Sequence, residues 1–166
     1  MVISLYSGVS FITSISGFFM QIKYSLGHAS PKLVEDAFDL RQQVFTHEQG
    51  FPADIDVDEY DDTALHVVLY LNQHPAAVLR CILFEETGLV KVGRVAVQKQ
   101  HRGKGLGREL MKFVEHYAQQ HHFKKIGLSA QHTAIEFYHS LKYQTEGEMY
   151  DEDGMDHIYM TRSLEQ

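Results

Sequence analysis

The sequence predicts a mixed α+β domain built on a central, largely antiparallel sheet. Three observations carry that prediction. His66–Leu71, Ala76–Phe84 and Leu89–Val97 are β-rich runs separated by short turns, which reads as an antiparallel meander. Two long segments, one before the meander and one after, place apolar residues at helical spacing. With 166 residues, 44% of them apolar, the chain suffices for one real hydrophobic core and is short for two.

The elements follow in order. Gln21-Ile22-Lys23-Tyr24 is the first clear strand pattern. Ser30-Pro31 reads as an N-cap and first helical position. Leu33, Val34, Ala37, Phe38, Arg41, Val44 and Phe45 then define one helical face to about Thr46, and Gly50-Phe51-Pro52 stops it. Asp54–Asp62 has no apolar periodicity and reads as an acidic loop. Asn72–Pro75 and Glu85–Gly88 are the turns of the meander. Leu106, Leu110, Phe113, Val114 and Tyr117 form one buried helical stripe. A short strand, Lys124–Ser129, and a short helix, Thr133–Leu141, come next. Two final strands, Tyr143–Met149 and His157–Thr161, are joined by the acidic loop Asp151-Glu152-Asp153-Gly154. The order is β-α-β-β-β-α-β-α-β-β.

Residues 1–22 carry no charged side chain. The stretch is long enough for a membrane span, but serines, Thr13, Gly8 and Gly17 dilute it and a basic leader region is missing. We read Met20 as close to the natural domain start: residues 1–19 are an uncharged extension of unknown role, and 20–166 are the domain. A packed extra segment, or a signal or anchor, are the alternatives.

The net charge of −7 disfavours a nucleic-acid binder and hides an uneven distribution. Pro31–Asp62 holds ten acids against two bases, and Lys91–Lys125 nine bases against two acids. Such blocks are solvated faces or fields for ligands of opposite sign. The single cysteine, Cys81, excludes an internal disulfide framework and a Cys-rich zinc module, and reads as a buried strand residue. His116, His121 and His122 do not share one helical face, so no metal is expected.

The basic block contains the strongest motif. Val95-Ala96-Val97 leads through Gln98–His101 into Arg102-Gly103-Lys104-Gly105-Leu106-Gly107-Arg108 and a helix. Glycines let backbone N–H groups approach a ligand closely, and a helix start adds unpaired N–H groups and a positive dipole end. The series makes a cradle for a diphosphate. It fits neither a Walker loop nor a Rossmann fingerprint, because Arg108 stands where each needs glycine.

Arg102-Gly103-Lys104-Gly105-Leu106-Gly107 matches the R/Q-x-x-G-x-G/A motif of the GNAT acetyltransferases. Gln131, Ala134 and Tyr138 match the family's later N/Q-x-x-A-x-x-x-Y pattern. Arg41 to Gln49 resembles the R-x-x-V-F-x-x-E-Q signature of its ElaA-like branch. The resemblance covers about 21–164 and departs at Leu141-Lys142-Tyr143, where the family often has L-G-F.

This resemblance implies the GNAT acyl-CoA N-acyltransferase fold, acetyl-CoA as donor and a primary amine as acceptor, free or on a protein or peptide. Val95, Ala96 and Val97 would pair with the pantetheine arm. Arg102, Gly103, Lys104, Gly105, Leu106, Gly107, Arg108 and Gln131 would hold the cofactor. Gly93 is either a candidate bulge that frees backbone groups near Val95 or a tolerated strand glycine. Tyr138 sits where the family places its general acid. His157, at the start of the last strand, is the candidate base, with His66, His132 and Glu48 as rivals. The acidic block either rims the mouth for a cationic acceptor or is simply solvated. The alternative function is a degenerate domain that binds acetyl-CoA as a sensor or interaction module. A cytoplasmic location is expected, with no nucleic-acid or membrane partner, and edge strands leave room for a homodimer. Mass spectrometry of the native protein decides among these readings: an amino terminus at Met20 supports the late start, and one at Met1 excludes it.

Overall fold

The computed structural model describes residues 7–165, which form two compact units. The described chain to Ile82, with Arg94–Val114, makes the first; Leu83–Gly93 and the chain from Glu115 make the second. Both units are built on mostly antiparallel strands with flanking helices.

In the first unit, β1 (Ser7–Ile15), β2 (Phe18–Leu26), β3 (Leu65–Leu71) and β4 (His74–Phe84, as far as Ile82) lie side by side in chain order, each antiparallel to the next. β1 falls inside the uncharged segment and pairs with β2 from Ser7↔Ser25 to Ile15↔Phe18. The turn between them is Ser16-Gly17, with φ of +49° and +81°. Two consecutive positive φ values suit the primed turns whose twist matches a hairpin. Asn72-Gln73, at +46° and +71°, joins β3 to β4 in the same way.

Helix α1 (Pro31–Arg41) continues as a π-helical segment over Gln42–Glu48. Ser30 is its N-cap residue but makes no side-chain cap bond. Leu33, Ala37, Leu40 and Val44 pack on Val68, Tyr70, Val78 and Ala96. This is the apolar face that periodicity predicts, two residues longer at its end. Among the described residues no helix is long and apolar enough to cross a membrane.

The acidic segment is more ordered than predicted. It forms a short helix α2 (Ala53–Asp56) and a 3-10 turn at Glu59–Asp62. Asp58 caps the turn by accepting from the Tyr60 amide at 3.0 Å, and Asp61 accepts from the Asp58 amide at 3.0 Å. The reason for this order is Arg41, whose side chain is fully buried. Its Nε donates to the Asp56 carboxylate at 3.1 Å and one terminal nitrogen to Asp61 at 2.9 Å. The other reaches the Asp56 carbonyl at 2.6 Å and Asp61 at 3.2 Å. Arg80 on β4 binds Asp58 at 2.6 and 3.0 Å and Asp61 at 3.0 Å. So the loop's carboxylates are internal counter-ions, and the expected rim for a cationic acceptor is not built from Asp56, Asp58 and Asp61.

In the second unit the order is β5-β6-β8-β7. The first part of β5 (Leu89–Val97) runs parallel to β6 (Lys125–Gln131), pairing Leu89–Val92 with Lys125–Leu128. β8 (Met155–Ser163) lies between β6 and β7 (Gln144–Glu152), antiparallel to both. The last two strands outrun their predicted bounds because the connection is a two-residue turn. Asp153-Gly154, at +53° and +83°, is a primed turn, so Asp151 and Glu152 belong to the strand. Helix α3 (Leu106–Gln120) buries the predicted stripe and also Met111 and Ala118. Helix α4 (Ile135–Ser140) follows a 3-10 turn at His132–Ala134.

Removing Arg41 would strand two buried carboxylates. Arg41→Met should therefore destabilise the protein by about 3–5 kcal/mol, read as a fall in melting temperature of roughly 2–4 °C per kcal/mol. Burial pushes the Asp61 carboxyl up. The Arg41 hydrogen bonds, the Asp58 amide and two guanidinium charges outweigh that and hold it well below the usual carboxylate range. Its stabilising contribution is complete above the unfolded value of about 3.9 and fades as pH falls below it. Wild type should lose melting temperature more steeply than Asp61→Asn between about pH 5 and pH 2.

Candidate functional site

In the first unit, the far end of β5 and the loop after it carry the diphosphate motif. Gly93 precedes the distortion that the sequence places near it. The left-handed residue is Arg94, at φ +54°. That conformation costs a non-glycine residue about 1–2 kcal/mol. The side chain holds it there: Nε donates to the Asp56 carbonyl at 3.1 Å and lies 3.3 Å from its carboxylate. A terminal nitrogen reaches Asp58 at 3.3 Å. The buried arginine cluster thus sets the course of β5 into Val95–Val97. Ala96 turns into the core, while Val95 and Val97 are half-buried on the alternate face.

The loop beyond rises through a 3-10 turn at Lys99–His101 and enters α3 at Leu106, which is buried. Gly103 and Gly105 adopt φ +78° and +81°, and a Cβ at either would meet nothing within 4 Å. Backbone conformation demands glycine there, and open space faces it. Gly107 lies in the first turn of α3 and plays no such part. The geometry fits a bulky anion laid against glycine backbone and a helix start.

The cationic side chains already have neighbours. Arg102 grips Glu48 at 2.5 and 2.9 Å and donates Nε to the Val97 carbonyl at 3.1 Å. The Arg102 hydrogen bond holds the Glu48 carboxyl below its ordinary range. Glu48, a rival base by sequence, is the counter-ion of Arg102 on the glycine loop. Lys104 Nζ lies 3.0 Å from His101 Nδ1. Burial first, and the Lys104 charge second, push His101 down, so its ring is neutral and Nδ1 accepts. Arg108 is half-buried in α3. His66 is a core histidine: it is fully buried, with Nε2 donating to the Asp61 carbonyl at 2.8 Å. Burial holds its pKa down. Cys81 is also fully buried, which pushes its thiol far up.

The second unit brings together Gln131 and His157, which face each other across β6 and β8. Tyr138, on α4, is buried against Phe137 and Tyr143 with ring centroids at 5.0 and 6.0 Å. Burial pushes its phenol up to about 12. His132 sits on the exposed 3-10 turn before it.

His157 is buried, with Nδ1 2.7 Å from the Met155 carbonyl. A carbonyl only accepts, so Nδ1 carries the proton and Nε2 is the basic nitrogen of the neutral ring. Nε2 lies 3.5 Å from Glu152, and the ring stacks on Tyr150 at 6.2 Å. Ser129 donates to Glu152 at 2.9 Å and also bonds the Tyr150 hydroxyl. Sequence reading missed Ser129, Tyr150 and Glu152. The available signal was the Asp153-Gly154 dipeptide, whose tight turn brings Tyr150 opposite His157. A register shift between Glu146 and Tyr150, with Gly147 at φ +75°, completes the placement.

Residues 34–143 match the acetyltransferase (GNAT) family. Protein ElaA of Escherichia coli is 36% identical over 129 residues, spanning 75% of this chain and 84% of that protein. The uncharacterized N-acetyltransferase YjcF of Bacillus subtilis is 33% identical over 131 residues, 78% of this chain and 91% of that one. The crystal structure of an acyl-CoA N-acyltransferase from Pseudomonas aeruginosa superimposes with a TM-score of 0.78 at 28% identity, covering 86% of this chain and 99% of that one.

The left-handed Arg94 yields an inverted substitution order. In an ordinary strand alanine outlasts glycine. Here Arg94→Gly and Arg94→Ala lose the same ion pairs, and only alanine keeps the strain. Arg94→Gly should be the more stable by about 1–2 kcal/mol, read by thermal melting. The opposite order would show that β5 does not need the left-handed turn.

Proposed function

We propose, on the premise that the chain belongs to the GNAT acetyltransferase family, that it moves an acetyl group from acetyl-CoA to a primary amine by direct attack in a ternary complex. The observation that carries the reading is the β5–loop–α3 junction, where Gly103 and Gly105 turn bare backbone toward open space beside a helix start. When bound, acetyl-CoA supplies an activated thioester carbonyl and a thiolate leaving group.

The residues of the chain divide the remaining work. Backbone of Gly103–Gly107 and the first N–H groups of α3 hold the diphosphate, with Arg102, Lys104 and Arg108 adding charge. Backbone of Val95, Ala96 and Val97 pairs with the pantetheine amides as an added strand. An N–H near Val95 donates to the carbonyl oxygen as negative charge develops there. Such a donor is typically worth ~10²–10³ in turnover. Gln131 completes the cofactor contacts at the end of β6.

Two protons must move. Tyr138, with its phenol pushed up to about 12, stays protonated at neutral pH and is therefore a donor, for the leaving sulfur. His157 offers Nε2 as the base for the ammonium of the acceptor, and Glu152, 3.5 Å away, faces that nitrogen as it gains a proton. Acceptors are free amines or amines on a peptide or protein.

Thiol release from acetyl-CoA over a panel of amines tests the reading. We expect release with at least one primary amine. Acetyl-CoA binding without release on any acceptor would point to a binding module instead. Tyr138→Phe should lower kcat by about 10²–10⁴ while leaving acetyl-CoA affinity unchanged. Wild-type turnover in that variant would remove Tyr138 from the mechanism.

A further inference from the structure

The hairpin β1–β2 lies ahead of the 34–143 match to the family, yet it reaches the glycine loop. Phe18 is the first residue of β2. Its ring lies 4.8 Å from Lys104 Nζ, in cation–π geometry. The same ring meets His101 edge-on at 5.8 Å. Lys104 Nζ in turn lies 3.0 Å from His101 Nδ1. Two side chains from distant stretches of sequence, Phe18 and His101, thus hold the Lys104 ammonium in place.

The neighbouring residue fixes Phe18 itself. The Phe19 amide donates to Asn72 Oδ1 at 2.8 Å, and the Asn72 amide donates to the Phe19 carbonyl at 2.8 Å. This double clasp ties the start of β2 to the β3–β4 turn. Gln98, whose amide donates to the Ala76 carbonyl at 2.9 Å, ties the start of the loop to the same edge of the sheet. Phe18 and the loop are therefore fixed to one frame.

We infer that the amino-terminal hairpin is a working part of the anion site, with Phe18 as a positioning residue that holds the Lys104 ammonium ready for the cofactor diphosphate. The inference rests on the acetyl-CoA reading above. A free lysine side chain loses most of its rotamer freedom when it binds a phosphate. A lysine already confined between a ring face and a neutral imidazole has lost that freedom before the ligand arrives. One ammonium proton is directed at His101, and the others remain for phosphate oxygens.

The test is calorimetric titration of the full chain with CoA, which does not depend on turnover. Phe18→Leu keeps bulk in the half-buried position and removes the ring face. It should weaken CoA about two- to fivefold, with the melting temperature near that of wild type. Phe18→Tyr should retain wild-type affinity. So should Phe18→Trp, for which the adjoining cavity of about 420 Å³ has room. On a Lys104→Met background, Phe18→Leu should cause no further loss. Unchanged affinity in Phe18→Leu, or an equal loss on both backgrounds, overturns the inference. Wild-type protein that binds no CoA overturns the donor assignment itself and is told apart by that first titration.

Discussion

The Arg41 guanidinium has no contact with water, and a charge in that position tolerates no unpaired donor. Satisfying it recruits Asp56 and Asp61, and their surplus charge recruits Arg80 and Arg94. The end of α1, the acidic segment, β4 and β5 are thereby fixed to one polar knot inside an otherwise apolar unit. The knot balances three arginines with Asp56, Asp58 and Asp61, and His66 stays neutral beside it. This is the work of the first residue in the R-x-x-V-F-x-x-E-Q signature. The acid of that signature, Glu48, holds Arg102 of the glycine loop.

The consequence for function runs through backbone geometry. Arg94 accepts a left-handed conformation in mid-strand because three oxygen-bearing neighbours hold its side chain. The strand then delivers Ala96 to the core and leads into a loop whose two left-handed glycines face open space. Structural charge and ligand-facing charge come from the same basic block, and burial separates them. Arg94 is spent on the fold, whereas Lys104 is held at the loop by Phe18 and His101.

The second unit works by a different device. Tyr138, a phenol neutral at pH 7 in any setting, is pushed further up by burial. His157 is oriented by a backbone carbonyl, and Glu152 accepts a hydrogen bond from the short Ser129 side chain. The primed Asp153-Gly154 turn is what lengthens β7 and β8 enough for Tyr150 and Glu152 to meet His157.

The sequence by itself determined the α+β class, the order of the main elements, the glycine loop with its helix, and the family. Those features are written in local periodicity, turn residues and contiguous motifs, which depend on neighbours within a few positions. It also put forward Tyr138 and His157, from motif and strand position, as the residues of the proposed proton transfers. Tertiary structure alone decided what the charge blocks are for. A carboxylate such as Asp61 reads identically in a solvated loop, an acceptor rim or a buried clamp. The difference is Arg41, 20 residues away in the chain and 2.9 Å away in space. Residues 1–19 followed the same logic. Their lack of charge reads along the chain as an extension, and the structure adds that Ser7–Ile15 pairs as β1 and that Phe18 touches Lys104. The β1–β2 hairpin is local, but the cation–π contact joins residues 86 positions apart, and no short window along the chain contains both partners.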